Sequence, residues 1–244
     1  MKIAVVGGTG LIGSQVVGRL KEQGHETTAL SLSTGVDLLT GAGLDEALAG
    51  AEVVVNLTNS PTFDAASLAF FQTSMDNLLA ASRAANVGHV VILSIVGVDE
   101  VPELDYYRAK TLQEDLLKAS GLPYSVVRAT QFMEFMDATM SWTTEGNTVR
   151  LPRTLLQPIA AADVAAAVAD VAAGAPLNGT LNVGGPDVFP LEELGRITIE
   201  AKGDERQVVV DDAAGMFAVP KGDVLTTPEG ARIASTHYRD WLAS

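Results

Sequence analysis

The sequence predicts an α/β fold in which a parallel sheet is covered by helices on both faces, a doubly wound arrangement. Short β-branched runs alternate with segments of helical periodicity from the N-terminus to about residue 130. The runs are apolar at consecutive positions, which is typical of strands buried on both faces. With 244 residues, of which 47% are hydrophobic, the chain is long and apolar enough to form a large core.

The predicted elements alternate strictly in the first part of the chain. A glycine cluster separates the first strand from the first helix, which ends at Gly24. In chain order, the predicted strands are KIAVV, HETTALSL, AEVVVNLT, HVVILSIVG and YSVVRAT. The predicted helices are LIGSQVVGRLKEQG, GLDEALAG, a long one over about 64–85 and one over about 105–120.

The alternation loosens after about residue 130. There the sequence predicts a short strand and an Ala-rich helix over about 160–173, and then a helix beginning near Leu191. No low-complexity linker separates the two parts. We therefore expect a dinucleotide-binding core over residues 1–130 and a smaller substrate-side region over 131–244, packed on the same domain.

Charge and composition narrow the possible functions. The chain has 16 Lys and Arg against 30 Asp and Glu, a net charge of -14 that repels nucleic acid and anionic membranes. No apolar run reaches the roughly 18 residues of a spanning helix and no secretory leader is recognised, so we expect a cytoplasmic protein. The chain has no Cys, and its three His residues lack ligand spacing, so we expect no metal site.

The glycine cluster between the first strand and first helix predicts a dinucleotide-binding turn of the Rossmann type. Gly7 allows a tight turn, Gly10 lets the backbone approach a pyrophosphate, and Gly13 lets the helix pack closely on the strand. A pyrophosphate there would meet the exposed N–H groups at the positive end of the helix. The predicted turn comprises Gly7, Thr9, Gly10, Leu11, Ile12 and Gly13.

The turn after the second strand is expected to select the cofactor. An acidic residue there would bond the ribose 2′-hydroxyl of NAD, but this turn carries neither an acid nor an Arg. The hydroxyls of Ser31, Ser33 and Thr34 favour NADP(H) over NAD(H), unless this is an ordinary polar turn. The following pair Asp37–Leu38 either contacts the adenine or only leads into the next helix.

The reacting end of the site is predicted where the fourth strand meets the helix that follows it. Tyr106 and Lys110 are four residues apart and project from one helix face, and Ser94 lies near the end of the strand. A phenol that works at neutral pH needs its pKa lowered, which an adjacent ammonium favours. Ser94 would then bond the substrate oxygen on which charge develops. Tyr107 is the alternative phenol, at three residues from Lys110.

These residues resemble the short-chain dehydrogenase/reductase superfamily in its atypical, NmrA-like branch. The resemblance covers most of the chain, through the glycine turn, the serine, tyrosine and lysine, and the segments VVRATQFMEF, QPIAAADVA and NVGGPDVF. It implies that Ser94, Tyr106 and Lys110 form a catalytic trio and that Lys110 also holds the nicotinamide ribose. The other residues it implies for the cofactor are Leu57, Thr58 and Asn59, and the main chain of Thr130, Gln131 and Phe132.

The resemblance also implies an apolar substrate pocket lined by Phe132, Phe135 and Met136. One feature departs from the family pattern, because the basic residue usual after the second strand is missing. Members of this branch also include proteins that bind a dinucleotide without catalysis.

We therefore expect an NADP(H)-dependent oxidoreductase that transfers a hydride between the nicotinamide and a carbonyl, quinone or conjugated alkene of a small organic molecule. The alternative is a dinucleotide redox sensor that regulates a protein partner. An epimerase is disfavoured because the chain leaves little room for a nucleotide-sugar domain. The expected partners are a small-molecule substrate and, if the protein is not a monomer, a second copy of the chain.

Overall fold

A computed structural model of the chain describes all of residues 1–244. The strands are β1 (Lys2–Val6), β2 (Glu26–Leu30), β3 (Val53–Asn56), β4 (His89–Ile95), β5 (Tyr124–Ala129), β6 (Thr144–Glu145), β7 (Thr148–Leu151), β8 (Leu155–Leu156), β9 (Gly179–Gly184), β10 (Phe189–Pro190), β11 (Gln207–Val210) and β12 (Arg232–Ile233). The helices are α1 (Leu11–Glu22), α2 (Leu44–Leu48), α3 (Ala66–Ala84), α4 (Asp105–Ala119), α5 (Met136–Trp142), α6 (Ala161–Ala173), α7 (Leu191–Lys202) and α8 (Tyr238–Leu242).

Seven strands form the central sheet, in the order β12-β9-β5-β4-β3-β1-β2. Strand β1 pairs in parallel with β2 on one side and β3 on the other, and β3 pairs in parallel with β4. The predicted doubly wound α/β fold is thereby confirmed. The chain reverses its direction across the sheet between β1 and β3, and ligands of such sheets bind beyond the carboxyl ends of the strands at this reversal.

The chain divides into two compact units. The first comprises Met1–Ser94, Asp105–Arg128 and Val164–Leu181, and the second comprises Ile95–Leu104, Ala129–Asp163 and Asn182–Ser244. Each unit is therefore assembled from separate stretches of sequence. In the second, β11 and β7 pair in parallel, β7 and β6 pair antiparallel, and helix α7 packs against β7 and β11.

The core of the first unit follows from the apolar strands. Val54 and Val90 of the sheet are fully buried together with Leu78 of α3 and Leu117 of α4. Helices α3 and α4 pack against each other, and the buried positions of α3 recur at helical spacing. Each such side chain contributes about 1.5–3 kcal/mol by leaving water. This packing fixes α4, which carries Tyr106 and Lys110.

None of the helices is both long enough and apolar enough to cross a membrane.

A buried histidine in the first unit is expected to make the stability of the fold depend on pH. His89 Nε2 lies 2.8 Å from Ser125 Oγ, which also accepts the Leu177 N–H at 3.0 Å, while Nδ1 is buried without a partner. Burial lowers the pKa of His89 below its usual 6.5. Below pH 6.5 the histidine therefore binds a proton more readily in the unfolded chain than in the folded one. The contribution of His89 to the free energy of unfolding is present above about pH 6.5 and is lost as the pH falls below it.

We expect the difference in free energy of unfolding between the wild type and His89→Gln, measured in urea, to change between pH 7.5 and pH 5. The wild type should lose more stability on acidification, because glutamine does not titrate there. Carboxylates affect both proteins alike and drop out of the difference. Parallel pH profiles for the two proteins would contradict a neutral, buried His89.

Candidate functional site

The turn after β1 has the geometry that its glycines predict. Gly7 has a φ of +77°, and a Cβ there would stand 2.9 Å from the carbonyl oxygen of Leu57. A Cβ at Gly13 would stand 2.0 Å from the carbonyl oxygen of Gly7. Real Cβ atoms do not approach backbone so closely, so both positions require glycine. The turn is thereby held tightly against α1 and against the loop after β3.

Gly10 differs because little of the protein surrounds it. A Cβ there would meet only the carbonyl oxygen of Gly7, at 3.4 Å. No side chain caps α1, whose first residue, Leu11, is exposed. The first N–H groups of a helix have no intrahelical partners and favour an anion. This open, uncapped end fits the pyrophosphate of a dinucleotide.

The hydroxyl groups after β2 form a short, exposed turn. Thr34 Oγ1 accepts the Ser31 N–H at 2.8 Å and donates to the Ser31 carbonyl oxygen at 3.0 Å. Ser31 Oγ and Ser33 Oγ lie 2.8 Å apart. Thr34 is thus committed to the backbone, while the two serine hydroxyls bond to each other and can turn towards a ligand.

The pair after this turn has a role in the fold. Asp37 Oδ1 accepts the Leu39 N–H at 2.8 Å, and Leu38 is buried in the core. This geometry favours the interpretation that the segment leads into α2 over the adenine contact.

Tyr106 lies at the start of α4, with its phenol against the loop after β3. Its hydroxyl donates to Oδ1 of Asn59, which also accepts the Ser60 N–H at 3.0 Å. The half-exposed ring of Phe63 contacts the tyrosine edge-on at 4.9 Å between centroids. Burial raises the pKa of Tyr106 to about 12, although the bond to Asn59 works in the opposite direction. The phenol therefore carries its proton at neutral pH.

Lys110 lies one turn further along α4, where it is 4% exposed. Its Nζ donates to the Leu93 carbonyl oxygen at 2.7 Å and to Oε1 of Gln113. Burial lowers its pKa to about 7, and Glu114 raises it in part. The sequence predicts an ammonium that lowers the pKa of the phenol. In the structure burial raises the pKa of the phenol, and the ammonium bonds to Leu93 and Gln113.

Ser94 lies near Glu114 of α4. Its hydroxyl is buried without a well-formed hydrogen bond, yet close enough to the Glu114 carboxylate to help lower the pKa of that group. Burial alone would raise the pKa of Glu114, but Arg128 donates to both of its oxygens, at 2.8 and 2.7 Å. Ser94 therefore faces the ion pair of Glu114 and Arg128, which lies two helical turns along α4 from Tyr106.

In the second unit, the segment after β5 presents polar atoms without protein partners. The Thr130 hydroxyl and both polar atoms of the Gln131 side chain are buried and unpaired. Buried polar groups nearly always have a partner, so this segment fits a polar ligand or water. Phe132 stacks on half-exposed Phe135 at 5.5 Å between centroids, whereas Met136 is buried.

Two residues at this site were not assigned their structural role by the sequence. The family resemblance implies that Asn59 contacts the cofactor, and in the structure its side chain bonds the phenol of Tyr106. Gln113 was not predicted at all, although its place one helical turn from Lys110 puts it within reach of the ammonium.

Comparison with known proteins identifies the family of the chain. Residues 7–174 match the family model described as NAD(P)H-binding. A (4-alkanoyl-5-oxo-2,5-dihydrofuran-3-yl)methyl phosphate reductase of Streptomyces griseus is 33% identical over 57% of this chain and 50% of its own. The photosystem II assembly factor Ycf39 of Cyanophora paradoxa is 26% identical over 55% of this chain and 46% of its own. The chain spans about half the length of these curated relatives.

Among solved structures, an NADPH-dependent quinone oxidoreductase of Escherichia coli superposes with a TM-score of 0.70. The two chains are 17% identical, and the match covers 99% of this chain and 98% of the other. At this identity the likeness shows the shared fold. With the family match over about two thirds of its length, the chain belongs to the NAD(P)H-binding family, in the atypical, NmrA-like branch of the short-chain dehydrogenase/reductase superfamily.

Proposed function

We propose that this protein is an NADPH-dependent reductase of a small organic substrate with a conjugated carbonyl or quinone group. The observation that carries the proposal is the phenol hydroxyl of Tyr106, held by Asn59 in the same unit as the glycine turn. The reductase named among the relatives acts on an oxo-dihydrofuran, which supports this substrate class.

The chemistry requires a hydride and a proton to add across the reduced bond. Bound NADPH would supply the hydride. Tyr106 would supply the proton to the substrate oxygen: its hydroxyl carries a proton at neutral pH, although a pKa of about 12 makes it a weaker acid than an unperturbed tyrosine. Asn59 would hold the hydroxyl in place, and solvent would return the proton after product release.

Lys110 and Ser94 would assist from α4 and β4. The ammonium of Lys110 has three N–H donors, of which Leu93 and Gln113 accept two. The third would hold the nicotinamide ribose. Ser94 would anchor the substrate oxygen once its hydroxyl turns away from Glu114. The open glycine turn would bind the pyrophosphate, and the hydroxyls of Ser31 and Ser33 would bind a 2′-phosphate.

The test is a calorimetric titration with NADPH, NADP, NADH and NAD in parallel, followed by NADPH consumption with a panel of quinones and conjugated carbonyls. We expect NADPH to bind best and at least one substrate class to be reduced. In Ser33→Asp, the new carboxylate should repel the 2′-phosphate. The variant should therefore bind NADPH more weakly than the wild type does, with no loss of affinity for NADH. Absence of binding by all four dinucleotides would overturn the proposal.

The second candidate is a dinucleotide sensor for a protein partner. It is favoured by Ser94, whose hydroxyl faces the Glu114–Arg128 pair, and by the relative described as an assembly factor. A sensor would bind oxidised and reduced forms with different affinities and reduce no substrate. The same titration and panel separate it from the reductase.

A further inference from the structure

The ammonium of Lys110 lies in a cage made by three contacts. The Leu93 carbonyl oxygen lies 2.7 Å from Nζ, Oε1 of Gln113 accepts a second hydrogen bond, and Nζ lies 4.9 Å from the centre of the Phe71 ring. An ammonium has three donors and no acceptor. The carbonyl and the amide oxygen use two of them, and the ring face adds a cation–π contact.

The amide of Gln113 is fixed from its other end by a methionine. Its Nε2 donates to Sδ of Met75 at 3.8 Å, and Nδ2 of Asn56 donates to the same sulfur at 3.5 Å. A thioether accepts hydrogen bonds but cannot donate them. Both amides therefore turn their NH2 groups towards Met75 and their oxygens away from it.

The two amide oxygens are thereby aimed at opposite parts of the site. Oε1 of Gln113 faces Lys110, while Oδ1 of Asn56 accepts the Thr58 N–H at 3.0 Å and the Thr58 hydroxyl at 2.7 Å. Asn56, Met75 and Gln113 are each at most 1% exposed. Apolar side chains would fill this space without needing partners, so the polar atoms indicate a positioning role.

We infer that Gln113 is a positioning residue that keeps Lys110 a cation at a fixed place, and that Met75 sets which end of the Gln113 amide faces the ammonium. The inference deepens the proposed function, on which the part of Lys110 in binding the cofactor rests. The geometry of the cage itself does not depend on that function.

The charges around Lys110 are few. Its own helix supplies Glu114, which raises the pKa of Lys110. Strand β5 supplies Arg128, which is paired with Glu114. The residues of α3 and β4 that contact the ammonium, Phe71 and Leu93, do not titrate. With burial opposing the cation, an uncharged amide oxygen at Nζ has a measurable effect on its protonation.

The experiment is an NMR titration of the side-chain 13Cε signals of the chain's six lysines in the whole protein. The signal of Lys110 is identified by its loss in Lys110→Arg. In Gln113→Leu we expect the pKa of Lys110 to fall by about one or more, because a hydrogen bond to the cation is lost. In Gln113→Glu the added carboxylate should raise it above the wild-type value. Gln72→Leu, on α3, removes an amide that bonds Asp76 and should leave it unchanged.

Two outcomes would overturn the inference: an unchanged pKa of Lys110 in both Gln113 variants, or a change equally large in Gln72→Leu. Should Gln113→Leu fail to fold, Gln113→Glu carries the test by itself, because it nearly keeps the shape of glutamine. A Lys110 pKa that responds in a protein without reductase turnover would retain the positioning role and reject the proposed function. In an active reductase, the Gln113→Leu change should also move the pH profile of turnover to lower pH.

Discussion

Replacing Tyr106 by phenylalanine is expected to lower reductase turnover by about 10²–10⁴-fold, the usual contribution of a positioned general acid. The substitution removes the hydroxyl that Asn59 holds and keeps the ring that packs against Phe63 and Phe71. NADPH affinity should stay close to that of the wild type, because the glycine turn is untouched. Steady-state kinetics with the best substrate of the panel, together with calorimetry, measure both quantities.

Tyr107→Phe is the matched control. Tyr107 is adjacent and also buried, and its spacing from Lys110 makes it the alternative phenol. Burial raises the pKa of Tyr107 as well. The phenol that Asn59 bonds, however, is that of Tyr106. Tyr107→Phe should therefore turn over substrate within a few-fold of the wild type. The assignment is wrong if the losses are reversed, and the acid mechanism is wrong if both variants keep their turnover.

The sequence predicts the fold well because each of its signals is local. The valine-rich strands need burial on both faces, and the glycines of the first turn need small size at particular positions. The long helix predicted over about 64–85 is α3 at Ala66–Ala84, and the next, predicted over about 105–120, is α4 at Asp105–Ala119. These signals require no knowledge of what else lies nearby.

The site is less predictable because its contacts join distant parts of the chain. The spacing of Tyr106 and Lys110 places both on one helix face, but it does not reveal that Asn59, from the loop after β3, meets the phenol. Nor does spacing reveal which partner Ser94 faces, since Glu114 reaches it only when α4 packs on the sheet. A sequence shows which groups are available, whereas packing decides which of them meet.

Replacing Gly13 by alanine is expected to lower the free energy of unfolding by about 2–4 kcal/mol and to abolish dinucleotide binding. The new Cβ would stand 2.0 Å from the carbonyl oxygen of Gly7, a backbone atom that cannot turn aside as a side chain does. Helix α1 must then move away from the turn. Because the helix end and the turn together form the proposed anion site, stability and binding should fall together.

Gly18→Ala is the control for Gly13→Ala. It introduces an alanine into the same helix at a position without a close backbone contact. No atom lies within 4 Å of a Cβ at Gly18, so the substitution should stabilise the protein by up to about 1 kcal/mol through helix propensity. Urea unfolding of the two variants, with NADPH calorimetry, measures the contrast. If Gly13→Ala were as stable as Gly18→Ala and still bound NADPH, the close contact of α1 with the turn would be refuted. The contrast depends on the turn alone, so it does not require the proposed reductase activity.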